Sequence, residues 1–205
     1  MHALIVVAHH DPESLTHAIA AEVARGVAES APGNGSAIAD LFREGFDPRF
    51  NPADHAVHRH QATPPADVLA EQARIDGADA LVLVYPVYWW SMPGLLKGWV
   101  DRVFSNGWAF DFVLDQRFEK KLQHLDVHLV GIAGADAGTY ERHGYREAMK
   151  AQIDHGIFDY CGARVASSAL LLESESRDPT DYLQAARRLG QSLFAQAPTA
   201  RPVEA

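Results

Sequence analysis

Five short apolar runs, each about one strand long, recur along the chain with amphipathic stretches between them, and this alternation excludes most folds at once. The runs lie at Ala3–Ala8, Ala37–Asp40, Ala80–Tyr85, Val127–Ala133 and Arg164–Leu172. Leu81–Val84 is apolar without a break, as a strand covered on both faces should be. The stretches between read as helices at Thr16–Glu29, Asp67–Gly77, Pro93–Phe104, Tyr145–Tyr160 and Pro179–Ala195, the last capped by Asp178. Strand then helix, repeated, predicts a doubly wound parallel α/β sheet.

With 205 residues the chain is long enough for one well-cored domain, expected over 1–196, with a Pro-containing tail at 197–205 that is extended or disordered. Five strands fit the flavodoxin-like order 2-1-3-4-5 better than the longer dinucleotide fold, and no GxGxxG follows the first run. Two segments, Arg43–Ala66 and Ser105–His124, lack clear periodicity and are longer than ordinary connections, which marks them as functional loops.

Composition narrows the partners. A net charge of −9 argues against nucleic acid, so an anionic ligand must be held by local dipoles. The apolar start, MHALIVVAHH, has no basic flank or small-residue cleavage site, which predicts no signal peptide and a cytoplasmic protein. The one cysteine, Cys161, cannot form an internal disulfide and reads as a packing residue.

Three segments fall where such sheets bind ligands, at the carboxyl ends of strands. His9-His10-Asp11-Pro12-Glu13-Ser14-Leu15-Thr16-His17 leads into the first helix, whose free N–H groups and partial positive charge suit a phosphate without any basic surface. Ser14 and Thr16 add hydroxyls and His9 adds a ring donor, while Asp11 and Glu13 should point outward. The second segment, YPVYWWSMPGLLKGW, follows the third strand: Pro86 stiffens the exit, and Tyr88, Trp89 and Trp90 offer flat surfaces that cannot all face one interior. The third, Gly131–Tyr145, reads as a glycine-rich loop whose Gly134, Gly138 and Gly144 let backbone approach a ring. Asp54, His55, His58 and His60 lack regular ligand spacing, and no metal is expected. Ser91 has no nucleophile-elbow pattern, so a serine hydrolase is not expected either.

The segments VVAHHDPESLTHAIA, DLFREGFDPRFNPADH, EQARIDGADALVLV, YPVYWWSMPGLLKGWVDRVFSNGWAF and GIAGADAGTYERHG together resemble the NAD(P)H:quinone oxidoreductases of the DT-diaphorase type. Their bacterial relatives include flavoprotein subunits of potassium-efflux systems. The likeness spans most of residues 3–172. It implies that His9, Ser14, Leu15 and Thr16 meet a flavin's phosphate. It places Pro86, Val87, Tyr88, Trp89 and Trp90 around the isoalloxazine, with Ile132, Ala133, Gly134, Ala135 and Tyr140 of the neighbouring loop also binding the cofactor. Tyr140 and His143 correspond to the family's pair that supports proton movement, although His143 stands closer to Tyr140 than in the long enzymes. Phe110 and Phe112 stand where those enzymes carry two tyrosines flanking the substrate, so stacking is retained and two hydroxyls are lost.

The resemblance thus implies a flavin-dependent enzyme that takes hydride from NAD(P)H and reduces quinones by two electrons in a ping-pong cycle. The long segment Glu44–Ala66 is similar to the FAD-binding branch and SNGWAF to the FMN-binding one; FAD is the expected cofactor, FMN the alternative. Other readings are a regulatory subunit of a membrane transporter and a one-electron carrier. A homodimer is expected from the aromatic surface of Trp99, Phe104, Trp108, Phe110, Phe112 and Phe118.

Overall fold

In this computed structural model, which describes residues 1–114 and 117–195, the five apolar runs become one parallel sheet. In chain order the elements are β1 (His2–Val7), α1 (Leu15–Ser30), β2 (Gly35–Asp40), α2 (Pro52–His58), α3 (Ala66–Asp76), β3 (Ala80–Pro86), α4 (Gly94–Val103), β4 (Phe110–Asp111), β5 (Glu119–Lys120), β6 (Asp126–Ile132), α5 (Ala137–His143), α6 (Tyr145–Met149), a π-helix (Lys150–Asp159), β7 (Arg164–Leu171) and α7 (Thr180–Ser192). The sheet runs β2-β1-β3-β6-β7, the expected 2-1-3-4-5 when its own strands alone are counted. The predicted tail at 197–205 lies outside the described residues. Among those described, no helix is long and apolar enough to cross a membrane.

Alternation along the strands builds a core on each face. Leu4, Val6, Leu81 and Leu83 point to the face covered by Trp99 and Phe158, while Ile5, Val7, Val82 and Val84 point to the face covered by Val23 and Ala186. On that second face α1 and α7 cross so closely that a Cβ at Gly26 or Gly190 would meet a backbone oxygen of the other helix at 2.1 Å. Register then sets the site: Val84 lies between Val7 of β1 and Val130 of β6, so three strands end side by side.

Five expectations change. The helix expected over Tyr145–Tyr160 is α-helical only to Met149 and then winds as a π-helix. Ile153 and Phe158 are both buried, and i→i+5 winding brings residues five apart to one face. The expected glycine-rich loop contains α5, capped by the Asp136 carboxylate accepting the Thr139 N–H at 2.7 Å and closed by Gly144 at φ 66°. The expected loop over Arg43–Ala66 contains α2, started by a reciprocal cap in which Asn51 accepts N–H bonds from Ala53 and Asp54, and Asp54 accepts from Asn51. Within Ser105–His124, β4 and β5 form an antiparallel pair. The aromatic surface expected to mark an interface is largely core: Trp99, Phe104 and Phe110 are buried.

A buried ion network explains why Arg43–Ala66 is ordered. Arg102, 4% exposed, donates to Asp54 at 2.9 Å, to Asp67 at 2.6 Å and to the Asp47 carbonyl at 2.8 Å. Asp54 is thereby committed to Arg102, His60 faces Asp111 at 3.3 Å, and His58 sits edge-on to Phe110. Cys161 is packed in the first core, and burial pushes its thiol up to about 11.

Candidate functional site

The start of α1 forms one end of the site. Ser14 caps the helix, accepting the His17 N–H at 3.4 Å. No hydrogen bond among the described residues engages the Leu15 or Thr16 N–H, which leaves both free at the positive end of the helix dipole. Thr16 is buried, while Leu15 and His9 are half-buried. The His9 Nδ1 accepts the Asp11 N–H at 3.0 Å, so a neutral ring carries its proton on Nε2. Burial, then the neighbouring His10, hold the His9 imidazole below its ordinary value. Asp11 and Glu13 are exposed, as expected. Sequence reasoning missed His17 and Asp40, which continue from Ser14: Ser14 Oγ meets His17 Nδ1 at 2.9 Å and His17 Nε2 meets Asp40 at 2.9 Å. Their spacing carries no motif; only the adjacency of β1 and β2 joins them.

The aromatic turn is the middle of the site. Pro86 ends β3 in register with Ile132 of β6, and the Val87 N–H donates to the Ile132 carbonyl at 2.7 Å. Tyr88 and Ser91 then exchange two backbone hydrogen bonds of 3.1 Å, with Trp89 at φ 51° and Trp90 at φ 60° between them. Two left-handed residues inside a doubly bonded turn match the tight hairpin that normally takes Asn-Gly. A bulky side chain there costs roughly 1–2 kcal/mol per residue. Trp89 is 92% exposed and Tyr88 is also exposed, whereas Trp90 stacks on Tyr145 with centroids 3.8 Å apart and planes 12° from parallel.

Tyr140 stands beside this stack, edge-on to Trp90 at 5.3 Å and to Tyr145 at 6.2 Å. It is 1% exposed, its hydroxyl has no hydrogen-bond partner, and burial pushes its pKa above the ordinary phenol value. A buried polar atom left bare forfeits about 1–3 kcal/mol, and beside the aromatic turn this hydroxyl can take a partner from outside the chain. His143, one turn along α5, is exposed and stacks on Tyr145 at 5.2 Å; among the described residues no ring contact joins it to Tyr140. Tyr145 was missed as a site residue because it reads as an ordinary helix start. Ile132 and Ala133 are buried, Gly134 is exposed, and Ala135 is half-buried. A Cβ at Gly134 would stand 3.4 Å from the Glu175 carboxylate, which adds Glu175 to the rim.

Phe110 and Phe112 belong to a different neighbourhood. Phe110 is buried against His58, Phe118 and Tyr160 at the wall of a cleft of about 310 Å³, so it offers little stacking surface. Phe112 is half exposed. No aromatic contact joins either to Trp89, Trp90 or Tyr140 within the chain. The residues at the carboxyl edge fit a flavin: free N–H groups for a phosphate, a broad aromatic wall, and an unpaired phenol for a polar ring edge.

A parallel sheet of this order with ligand-facing groups at its carboxyl edge defines the flavodoxin-like class. The family model described as flavodoxin-like fold, Flavodoxin_2, matches residues 1–193, and the chain belongs to that family. Ribosyldihydronicotinamide dehydrogenase (quinone) of Mus musculus is 28% identical over 221 residues, covering 95% of this chain and 93% of that one. A ribosyldihydronicotinamide dehydrogenase-like protein, traD, of Penicillium crustosum is 34% identical, covering 80% of this chain and 70% of its own length. Among solved structures, the NAD(P)H:quinone oxidoreductase from Methanothermobacter marburgensis superposes with a TM-score of 0.79 at 26% identity, covering 94% of this chain and 96% of the other.

Proposed function

We propose that this protein is a flavin-dependent NAD(P)H oxidoreductase that reduces quinones or similar electrophilic aromatics by two electrons. The observation that carries the reading is the pairing of a strained, exposed aromatic turn with a buried, unpartnered Tyr140 hydroxyl at one sheet edge, in a chain whose relatives are named quinone dehydrogenases. A bound flavin would supply the two-electron chemistry, hydride transfer between a dihydronicotinamide and the acceptor.

The chain's own residues bind, orient and exclude water. Ser14, Leu15, Thr16 and His9 hold the phosphate end, and Pro86, Val87, Tyr88, Trp89 and Trp90 form the wall against the ring. The backbone of Ile132, Ala133, Gly134 and Ala135 meets the polar edge. The Tyr140 phenol, protonated at neutral pH and held further from ionisation by burial, acts as a donor to negative charge on that edge. His143 serves proton exchange at the rim. FAD is the proposed cofactor: a cleft of about 740 Å³ beside the start of α1, with Ser14, His17, Asp40 and Arg43 among its walls, provides room for a group beyond the first phosphate. A homodimer is proposed, with the exposed Phe50, Phe112 and Tyr160 covered by a second copy.

One planar site serving donor and acceptor in turn predicts parallel lines in double-reciprocal plots of initial rate. Heat release followed by chromatography identifies the cofactor, and light scattering gives the assembly. A protein with NAD(P)H oxidation that quinones do not accelerate, or whose one-electron-reduced form accumulates during photoreduction, overturns the two-electron reductase and favours an electron carrier.

A further inference from the structure

The aromatic turn is strained, and what holds it in place is unevenly distributed. Its entry is tied to the sheet by the Val87 N–H bond to Ile132. Its exit is tied to a helix instead: Ser91 Oγ donates to Gln152 Oε1 at 2.6 Å, across 61 positions of sequence. Trp90 is held by the same helical run, stacked on Tyr145. Tyr145 opens α6 and Gln152 lies in the π-helix that continues it, and both reach the turn. A side chain on an exposed helix surface that accepts a short hydrogen bond from the closing residue of a strained turn does little for the core. Its effect falls on the position of Trp89 and Trp90.

We propose that Gln152 is a positioning residue, which by accepting the Ser91 hydroxyl sets the aromatic wall against the bound isoalloxazine ring. The inference rests on the flavin reading of this edge. It reaches beyond that reading in assigning control of the wall to a helix that carries no ring-binding motif. Two hydrogen bonds of the turn itself, between Tyr88 and Ser91, fix its shape; the Ser91–Gln152 bond fixes where that shape sits. With the bond gone, the turn pivots on Val87, and Trp90 loses register with Tyr145.

Chemistry provides a discriminating substitution. Gln152 acts here through its oxygen, so Gln152→Glu keeps the acceptor while Gln152→Leu keeps the volume and loses it. Equilibrium titration with FAD and with FMN, read by flavin fluorescence, is expected to give dissociation constants about tenfold weaker for Gln152→Leu and for Ser91→Ala, and within about twofold of the unmodified protein for Gln152→Glu. The double variant is expected to be no weaker than either single one, because both remove the same bond. The indole N–H resonances of Trp89 and Trp90 in flavin-free protein give a second readout: they shift in Gln152→Leu and return in Gln152→Glu. Flavin binding that is unchanged in Gln152→Leu, additive in the double variant, or equally weak in Gln152→Glu overturns the inference. If the unmodified protein binds no flavin, the cofactor reading fails, and the indole resonances still decide whether Gln152 holds the turn.

Discussion

The two regions that flank β3 differ in how far their polar groups find partners within the chain. Where α4 meets the Arg43–Ala66 segment, Arg102 is buried yet spends its donors on Asp54, Asp67 and the Asp47 carbonyl, and Trp99 donates its indole N–H to Glu71 at 2.9 Å. At the carboxyl edge, Trp89 and Trp90 hold unfavourable backbone conformations, Trp89 projects into solvent, and the Tyr140 hydroxyl is buried without a partner. The first region is organised around ion pairs within the chain, although it too keeps one bare buried oxygen, Asp54 Oδ1, and one left-handed residue, His60 at φ 56°. The second sets two adjacent left-handed aromatics beside an unpartnered hydroxyl, and on that combination the flavin proposal rests.

The largest effect tests the first region. Arg102→Met leaves Asp54 buried beside an apolar side chain and is expected to lower stability by about 3–5 kcal/mol. Urea denaturation measures this, and a loss under about 1 kcal/mol would show that the network is not what holds the segment. The flavin retained by the folded fraction is expected to be unaffected.

The next test separates the regions by sign. Trp89→Gly relieves the left-handed conformation and is expected to stabilise the flavin-free protein by about 1 kcal/mol. The same change removes an aromatic wall and is expected to weaken flavin binding by about 2 kcal/mol. Stability and binding that fall together would place Trp89 with the ordinary core instead.

Tyr140→Phe removes a hydroxyl without a partner, so folding should be unaffected or slightly improved, while reduction by NADH or NADPH slows about tenfold for a lost bond of roughly 1.5 kcal/mol. His143→Ala is expected to act in the same direction with a smaller effect. Stopped-flow reduction at saturating donor reads both. Unaltered rates in both variants would leave the backbone of Ile132–Ala135 as the sole support for the ring's polar edge.

The smallest effect is a pH dependence that belongs to the sheet rather than the site. His128 is buried, its Nδ1 contacts Ser167 Oγ at 2.8 Å and its Nε2 has no partner. Burial holds its pKa below the ordinary 6.5. The unfolded chain therefore binds the proton more readily, so stability is retained above 6.5 and declines as pH falls below it. Denaturation midpoints across that range should show a shallower acid decline in His128→Leu than in the unmodified protein.

Period and burial made the sheet legible in the sequence. Leu81–Val84 could only be a strand covered on both faces, and each of the five runs became a sheet strand within two residues of its expected bounds. The π-helix was not legible, because Ile153 and Phe158 suit an α-helical pattern until the sheet beneath them is known. Helices α2 and α5 were missed for a different reason: Asn51-Pro52 with Asp54, and Asp136 with Gly144, are proper start and stop signals, but both segments are too short for periodicity to register. In the site, the aromatic turn announced itself through residue type. Ser14–His17–Asp40 and Ser91–Gln152 did not, since only the packing of distant segments creates them. Phe110 was misread as surface because a hairpin folds it inward.

The flavin site is decided by titrating flavin-free protein with FAD while following quenching of its tryptophan fluorescence. Saturation is expected at one flavin per chain, with quenching lost when Trp89 and Trp90 are both replaced. Absence of saturable binding by either FAD or FMN would contradict it, and the strained edge would then belong to something other than a flavin site.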